Sequence, residues 1–298
     1  MRATLIHNPS AGDAELGEAA LKEMLKEAGF QVRYRSRRDD WKKGLRDPEK
    51  SDLVFVAGGD GTVTKVALEL AGADIPLAIL PLGTANNVAR ALGLVGSAKE
   101  IITRSKEVKP RRIDVGLVSA SWDEYRFIES FGGGIFADLI ERAEANDDLR
   151  QMTGAKGDRA LALLETVVEG AKPTRWEVEL DGRDLSGDYV AVEAMNMRFI
   201  GPKIPLAPDA DPGDGLLDLV LLGEDERTAL LEYVGRRLRE SAAEFPELPS
   251  ERGRHLRLRS VNGLALHVGD DLAEPPADHR ADQAYDVVLK PGAVILRA

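Results

Sequence analysis

The sequence predicts an α/β fold with two domains: an N-terminal α/β domain built on a parallel sheet and a C-terminal, mostly antiparallel β domain. Three observations predict it. Apolar segments alternate with segments of helical spacing in the first third of the chain, glycine-rich turns follow two of these apolar segments, and strands with one polar face dominate from about residue 108. We expect a first domain at 1–107, completed by a last strand at 291–298, and a second domain at 108–290.

The first domain is predicted to alternate strands and helices. Short apolar or alternating segments indicate strands at 3–8, 30–35, 53–57 and 76–80. Apolar residues at helical spacing indicate helices at 13–28, 39–45, 62–71 and 86–92. A sheet whose strands are separated by helices in this way is parallel and covered on both faces, and it binds ligands beyond the carboxyl ends of its strands.

The second domain is predicted to be mostly antiparallel, because several of its strands alternate apolar with polar residues and so have one wet face. Strands are expected at 108–118, 125–131, 175–181, 189–195, 216–222, 254–260, 264–268 and 284–290. Helices are expected at 136–146, 155–170 and 225–245. The pair Pro291-Gly292 indicates a turn into the last strand.

Composition excludes several classes of protein. The chain of 298 residues contains no cysteine, which rules out disulfides and thiolate metal sites and favours a reducing compartment, the cytoplasm. Its N-terminal apolar run is too short for a signal peptide, and no apolar stretch approaches the roughly 20 residues that span a bilayer. The net charge of −11 argues against nucleic acid as a partner.

Basic residues nevertheless form two clusters in this acidic chain. A solvated strand face is the more common reason for such a cluster, and a surface for anionic headgroups or nucleotide phosphates is the alternative. The first cluster contains Arg33, Arg35, Arg37, Arg38, Lys42 and Lys43, and the second contains Arg252, Arg254, Arg257 and Arg259.

The turn at 58–62, Gly-Gly-Asp-Gly-Thr, is the strongest functional signal, because it follows an apolar strand and opens into a segment of helical spacing. Glycine lets a ligand approach the main chain closely, and backbone N–H groups at the start of a helix attract phosphate oxygens. A tight strand-to-helix turn with a capping aspartate would use the same residue types. Three glycines directly after a buried strand favour phosphate binding.

Two further turns follow predicted strands, at 81–87 (Pro-Leu-Gly-Thr-Ala-Asn-Asn) and at 8–12 (Asn-Pro-Ser-Ala-Gly). Thr84 could cap the helix that follows or present its hydroxyl to a ligand. Because the carboxyl ends of parallel strands share one edge of the sheet, we expect all three turns to face the same crevice. The chain lacks both the Lys-Ser/Thr pair of a Walker loop and the glycine spacing of a dinucleotide-binding loop.

Together these three turns resemble the catalytic domain of the diacylglycerol kinases, which bacterial soluble lipid kinases, sphingosine kinases and ceramide kinases share. The segment 205–218 resembles the second domain of the same family. The turn at 58–62 alone is also found in NAD kinases and phosphofructokinases. The resemblance implies an NAD kinase/diacylglycerol kinase-like fold and ATP-dependent phosphorylation of a lipid hydroxyl, with the nucleotide bound between the two domains.

The resemblance also implies which residues bind the nucleotide. It makes the N-terminal domain a nucleotide-binding α/β domain, in which the three turns line the ATP site and the end of the second strand adds a hydroxyl. Carried over residue by residue, the set is Asn8, Ser10, Gly12, Ser36, Gly58, Gly59, Asp60, Gly61, Thr62, Lys65 and Thr84.

A metal site is implied in the acidic segment 209–218. From the residues alone, Asp211, Asp214 and the main chain of Leu216 offer the hard oxygen ligands that Mg²⁺ prefers. The same Asp-Pro-Gly-Asp-Gly run is also strong turn chemistry. The resemblance points to a structural Mg²⁺ held by these three residues.

A kinase of this kind needs a base that takes the proton of the acceptor hydroxyl. The family usually has a glutamate in an Asp-Gly-Glu turn, and the matching stretch here, 266–271, has Asp271 at that position. Asp60 and Asp271 are therefore the predicted catalytic carboxylates. A hairpin turn with two solvated acids, Asp270 and Asp271, explains the same residues equally well. The four histidines, interpreted as structural or exposed, show no spacing that suggests a metal site.

Several positions depart from the family pattern: Thr64 and Lys65 replace Asn and Glu, and Asn87 replaces Asp. Fewer carboxylates would weaken the organisation of Mg²⁺ and ATP. An NAD kinase-like enzyme and a nucleotide- or lipid-binding protein without catalysis therefore remain as alternatives. The leading prediction is a cytoplasmic kinase that uses ATP and Mg²⁺, acts on a lipid alcohol such as diacylglycerol and contacts a membrane surface transiently. A homodimer is compatible with it.

Overall fold

The computed structural model describes residues 1–11, 16–47, 49–145, 156–240, 243–260, 265–273, 275–276 and 283–297. These residues fall into two compact units. The first contains Met1–Val115 and Pro291–Ala298, and the second contains Gly116–Lys290. The predicted functional domains, 1–107 with 291–298 and 108–290, stay a prediction.

The first unit alternates strands and helices, as the sequence predicts. In chain order its elements are β1 (Arg2–His7), α1 (Glu18–Glu27), β2 (Gln31–Ser36), β3 (Leu53–Gly58), α2 (Asp60–Leu70), β4 (Leu77–Pro81), α3 (Asn87–Ala91) and α4 (Ala98–Arg104). The four strands form a parallel sheet in the order β2-β1-β3-β4. Next to β4 lies the end of the last strand, where Leu296 pairs in parallel with Leu77.

One apolar core fills the space between the parallel sheet and two of its helices. The strand side chains that face it include Leu5, Phe55 and Leu80, while α1 supplies Leu21 and Leu25. Helix α4, which the sequence analysis missed, adds its own isoleucines to this core and begins at a capping box between Ser97 and Glu100. This packing fixes the strands and therefore the turns at their carboxyl ends.

Among its described residues, the second unit contains two groups of antiparallel strands and three helices. Its elements are β5 (Arg111–Ala120, shared with the first unit), β6 (Glu124–Phe127), β7 (Ser130–Gly134), α5 (Ile135–Ala145), α6 (Lys156–Gly170), β8 (Thr174–Leu180), β9 (Arg183–Asp184), β10 (Gly187–Tyr189), β11 (Ala191–Met195), β12 (Leu217–Leu222), α7 (Glu224–Arg239), β13 (Ser250–Gly253), β14 (His255–Ser260), β15 (Leu266–Val268), β16 (Asp271–Ala273) and β17 (Gln283–Leu296). Strand β17 ends in the first unit.

Within each of two groups of strands in the second unit, neighbouring strands pair antiparallel. One group of strands has the order β10-β8-β14-β17, and the other sheet has the order β13-β12-β11-β7-β15-β16. A core that includes Trp176, Phe127, Phe131 and Tyr285 takes residues from both groups. The α/β fold class with one parallel and one mostly antiparallel domain is confirmed.

Some predicted elements differ from the observed ones. The helix expected at 39–45 is wrong, because these residues form turns in which Trp41 and Leu45 are buried and Gly44 has φ 69°. Gly292 has φ 59° but lies inside β17, so the turn expected at 291–292 is also wrong. Its N–H donates to Asp114 Oδ1 at 2.6 Å, which holds the strand at this position.

The remaining differences concern the ends of elements. The strand expected at 125–131 is divided into β6 and β7, and α7 ends at Arg239 rather than near 245. Helix α1 begins at Glu18, while 13–15 of the helix expected there lie outside the described residues. Helix α2 begins at Asp60, two residues before its expected start. No helix among the described residues is long and apolar enough to cross a membrane.

Candidate functional site

The turn between β3 and α2 contains no room for side chains at its first glycine. A Cβ on Gly58 would lie 2.8 Å from Cβ of Thr62, which is closer than side chains pack. Gly59 is the N-cap of α2, and its carbonyl accepts hydrogen bonds from the N–H groups of Thr62 (2.9 Å) and Val63 (3.0 Å). The turn therefore passes directly from strand to helix, with Asp60 and Gly61 in the first helical turn.

The second predicted turn lies against the first. Strands β3 and β4 pair so that Gly58 faces Pro81, and Leu82 N–H donates to Gly58 O at 2.9 Å. A Cβ on Gly83 would lie 2.5 Å from Cα of Gly59, so the two main chains come together only because both residues lack a side chain. Thr84 is exposed beside this contact.

The N-terminal turn joins the same edge of the sheet. Asn8 Nδ2 donates to Thr62 Oγ1 at 3.2 Å, and Asn8 Oδ1 accepts from the N–H of Ser10 at 3.2 Å. The amide of Asn8 thus connects the first turn of α2 to the loop after β1. The structure brings Asn8, Ser10 and Thr62 together with the glycines of the first two turns, Gly58, Gly59, Gly61 and Gly83. Gly12 lies outside the described residues.

Arg38 links two of the predicted nucleotide residues and was missed as a site residue. Its Nη2 donates to Ser10 Oγ at 2.9 Å, and its backbone N–H donates to Ser36 Oγ at 3.1 Å. Ser36 ends β2, which pairs with β1, so its hydroxyl lies at the same sheet edge. The basic cluster beginning at Arg33 was the available signal, but it did not single out Arg38.

Asp60 connects the first turn of α2 to the start of α3. Its Oδ1 accepts a hydrogen bond of 3.0 Å from the N–H of Val88, at the start of α3. Burial raises the pKa of Asp60, and backbone N–H groups at the start of α3 act in the opposite direction. The start of α3 is therefore capped by this carboxylate and not by Thr84. Lys65 is exposed on α2.

Asn86 shapes the turn that precedes α3. It adopts a left-handed conformation with φ 52°, and its side chain bonds Gly83 twice: Oδ1 accepts from the N–H at 2.8 Å, and Nδ2 donates to the carbonyl at 2.7 Å. Asparagine is one of the few residue types that tolerate this backbone region. The amide thus holds Gly83 where it meets Gly59.

In the second unit, the predicted metal ligands lie in one turn before β12. Asp211 Oδ1 accepts from the N–H of Gly213 at 3.0 Å, and Asp214 Oδ1 accepts from the N–H of Leu216 at 2.9 Å. The other oxygen of Asp214 is bound by the guanidinium of Arg252. Both carboxylates therefore act as caps within the turn.

In this turn, backbone N–H groups occupy one oxygen of each carboxylate, and the predicted Mg²⁺ ligands Asp211, Asp214 and Leu216 stay a prediction. No group of three or more His, Cys, Asp or Glu side chains among the described residues could hold a metal ion. Arg252 brings a positive charge to this turn, and its Nε also lies 3.5 Å from Oδ1 of Asp218, a residue only 2% exposed. Burial raises the pKa of Asp218 to about 6, despite the nearby Arg252.

The predicted base lies at a tight hairpin between β15 and β16. Val268 pairs with Asp271, which leaves Gly269 and Asp270 as the turn, and Gly269 has φ 60°. Glycine at positive φ in the first turn position is typical of type II′ hairpins. Asp271 is exposed at the start of β16. Beneath this hairpin, Glu193 and His267 form a fully buried pair that the sequence analysis also missed.

Two family models match the chain. The model of the diacylglycerol kinase catalytic domain matches residues 2–118, and the model of the YegS C-terminal NAD kinase beta sandwich-like domain matches residues 142–296. The first match contains all three turns and Asp60. The second contains the acidic turn and the β15–β16 hairpin.

Curated relatives and solved structures agree with these matches. The chain is 29% identical over 248 residues to a diacylglycerol kinase of Mycobacterium tuberculosis, covering 81% of this chain and 77% of that protein. It is 30% identical over 236 residues to a Stenotrophomonas maltophilia protein named "Probable lipid kinase YegS-like", covering 74% and 73%. A crystal structure titled as a diacylglycerol kinase from Bacillus anthracis superposes with a TM-score of 0.71 at 20% identity, covering 99% and 96%, which shows the shared fold.

Proposed function

The chain belongs to the diacylglycerol kinase and YegS-like lipid kinase family, and we propose that it transfers the γ-phosphoryl group of ATP to the hydroxyl of a lipid alcohol such as diacylglycerol. One observation carries this proposal. Three turns gather at one edge of the parallel sheet, where Asn8 bonds Thr62 and Gly59 touches Gly83. Glycine residues at the start of a helix leave the backbone N–H groups accessible, and these groups bind phosphate oxygens.

We propose that the nucleotide lies along the three turns. The phosphates would lie against the main chain of Gly58, Gly59 and Gly61, with the hydroxyl of Thr62 and the ammonium of Lys65 at the same end of α2. The rest of the nucleotide would contact Asn8, Ser10, Ser36 and Thr84. Gly12 is included as a nucleotide-binding residue on the family resemblance alone. Mg²⁺ would enter as part of the ATP complex and offset charge on the phosphates.

The proposed chemical step is a single displacement at phosphorus. The acceptor hydroxyl oxygen forms a bond to the γ-phosphorus, the bond to the bridging oxygen breaks, and ADP leaves with the electron pair. Asp271 would take the hydroxyl proton as general base. Asp60 would hold the turns that bind the nucleotide and place a negative charge near the complex of ATP and Mg²⁺. It would therefore have a structural role as well as a catalytic one.

The acceptor has to be reached in or near a lipid surface. We place the protein in the cytoplasm, with transient membrane contact, because a chain without cysteine suits a reducing compartment. We also propose that the protein can form a homodimer, and we assign no surface to it. Nucleic acid is not a proposed partner, given the net charge of −11.

A phosphotransfer assay tests the function. Radiolabelled ATP with Mg²⁺ is incubated with vesicles that contain diacylglycerol, with sphingosine or ceramide, and with NAD, and each product is identified by chromatography. We expect the wild-type protein to produce labelled phosphatidic acid from diacylglycerol and the Asp271→Asn variant to produce none. The Asp271→Glu variant has the longer side chain that is usual in the family, and we expect it to retain activity. Labelled NADP would favour the NAD kinase alternative. ATP binding without transfer to any acceptor would favour a non-catalytic protein.

A further inference from the structure

A buried acid and a buried histidine meet across one strand of the second unit. Glu193 in β11 and His267 in β15 are both 0% exposed, and each pairs in register with the same residue of β7, Gly132. Their side chains lie 2.9 Å apart from Nε2 to Oε2, with Oε1 at 3.1 Å. Strands on opposite sides of a third strand do not normally bring their side chains together.

Gly132 is the reason why they do. A Cβ built on this glycine would overlap the carboxylate of Glu193 and the carbonyl of Val192. The missing side chain therefore leaves a notch in β7, which the carboxylate of Glu193 occupies where it meets the imidazole of His267. Gly132 belongs to the run Phe131-Gly132-Gly133-Gly134, so the notch has a visible sequence signal.

The hydrogen bonds of His267 determine its protonation. Nδ1 lies 2.9 Å from the carbonyl oxygen of Gly269, and a carbonyl only accepts, so Nδ1 carries a proton. One further proton is shared between Nε2 and the Glu193 carboxylate. The pair is neutral overall wherever this proton lies. Burial raises the pKa of Glu193, and although burial acts against the charge of His267, the Glu193 carboxylate raises the pKa of the imidazole overall.

His267 also forms a hydrogen bond with the hairpin that contains the predicted base, Asp271. Gly269 accepts from Nδ1 through its carbonyl, and its N–H donates to Ser130 O at 2.9 Å. Both backbone polar groups of this residue are therefore tied to the sheet. Asp271 follows two residues later and is exposed at the hairpin.

We propose that Glu193 and His267 are positioning residues, which hold the β15–β16 hairpin through Gly269 so that Asp271 is presented to the acceptor hydroxyl. This inference rests on the proposed function. Stability alone gives a weak reason for the pair, because apolar side chains of similar volume often replace a buried ion pair without loss. A pair of residues that only filled the space beside Gly132 would not need the third hydrogen bond, which runs from Nδ1 of His267 to the carbonyl of Gly269 in the hairpin.

Two matched double variants separate positioning from packing. In Glu193→Gln/His267→Gln, the new amide reaches the position of Nε2 and loses the bond to Gly269. In Glu193→Gln/His267→Asn, the shorter amide reaches the position of Nδ1 and keeps that bond. Neither variant leaves a buried charge. Lipid phosphorylation kinetics are measured together with amide hydrogen exchange of a peptide covering 265–273.

We expect the glutamine variant to lose about tenfold to a hundredfold in kcat, with the KM for ATP within about twofold, and to exchange faster in this peptide. The asparagine variant should stay close to Glu193→Gln in both measurements. Equal kcat in the two double variants would overturn the proposal. If a double variant fails to fold, the single variants His267→Gln and His267→Asn make the same comparison, and equal kcat in that pair would also contradict the proposal.

The proposed function and the positioning role fail differently. A wild-type protein that phosphorylates no lipid contradicts the kinase proposal, and with it the catalytic part of this inference. Hydrogen exchange needs no turnover, so it decides separately whether His267 holds the hairpin: equal exchange in both double variants would remove that role.

Discussion

The carboxylate of Asp60, in the first turn of α2, accepts a hydrogen bond of 3.0 Å from the backbone N–H of Val88 in α3. The residue that the sequence suggests for catalysis is therefore also a structural clamp between two of the three turns. This double role decides how substitutions at Asp60 have to be interpreted.

Replacing Asp60 by Ala or by Asn should separate the clamp from the charge. Asn retains an oxygen that accepts from Val88, whereas Ala removes it, so Asp60→Ala should lower the free energy of unfolding by about 1 kcal/mol and Asp60→Asn should not. Both should reduce kcat/KM for lipid phosphorylation by about a hundredfold or more, because both remove the charge. Urea unfolding and the phosphotransfer assay measure the two effects. Full activity in the Asn variant would show that the charge is not needed.

The contact between Gly59 and Gly83 predicts a severe effect of a single methyl group. In Gly83→Ala the new Cβ would lie 2.5 Å from Cα of Gly59, so the two turns have to separate. We expect ATP affinity, measured by calorimetry, to fall about tenfold or more. Gly17→Ala is the matched control, because a Cβ at Gly17 meets nothing within 4 Å. Unchanged affinity in Gly83→Ala would separate this contact from nucleotide binding.

The pairing of Arg252 with Asp214 and Asp218 predicts that thermal stability does not depend on a metal. A chelator should shift the Tm of the protein without nucleotide by less than about 1 °C, since a guanidinium already balances the carboxylates. In Arg252→Gln the carboxylates lose this partner, and we expect the Tm to fall and millimolar Mg²⁺ to restore part of it. A drop of several degrees with chelator in wild type, absent from Asp214→Ala, would instead support the metal site that the sequence suggests.

The raised pKa of Asp218 predicts the sign of a pH effect. Its folded-state value of about 6 lies above the ordinary 3.8, so the folded protein favours the neutral acid and loses this stabilisation as the pH rises through 6. Asp218→Asn should therefore be more stable than wild type at pH 7.5, by about 1–3 kcal/mol, with solvent at the half-exposed Arg252 favouring the lower end. Denaturant unfolding at pH 5.0 and 7.5 measures this. A constant difference at both values would contradict it.

The parallel part of the fold and the three turns were predictable because the signals are local. Apolar runs such as 53–57 mark strands, and the carboxyl ends of parallel strands necessarily share an edge. The helix expected at 39–45 failed for an equally local reason. Trp41 and Leu45 are four residues apart and both buried, which imitates a helical stripe, but Gly44 adopts a left-handed conformation that ends any helix there.

The residues missed in the site depend on contacts between distant segments. Arg38 reaches Ser10 because of the path of the chain after β2, which has no periodic signal. Glu193 sits in an apolar strand and is visible as an isolated acid, but its partner and its notch come from β15 and β7. Only the register of three strands brings these residues together, and a single sequence does not contain that register.

The last strand has a consequence for how the protein is made. The neighbour of β4 on the side away from β3 is the end of β17, and it belongs to residues 291–298, which leave the ribosome after the whole second unit. Until then β4 is an open edge with unpaired backbone groups, a template for wrong association. A fragment of residues 1–115 should therefore aggregate on expression, whereas a circular permutant that places 291–298 before Met1 would complete its sheet during translation.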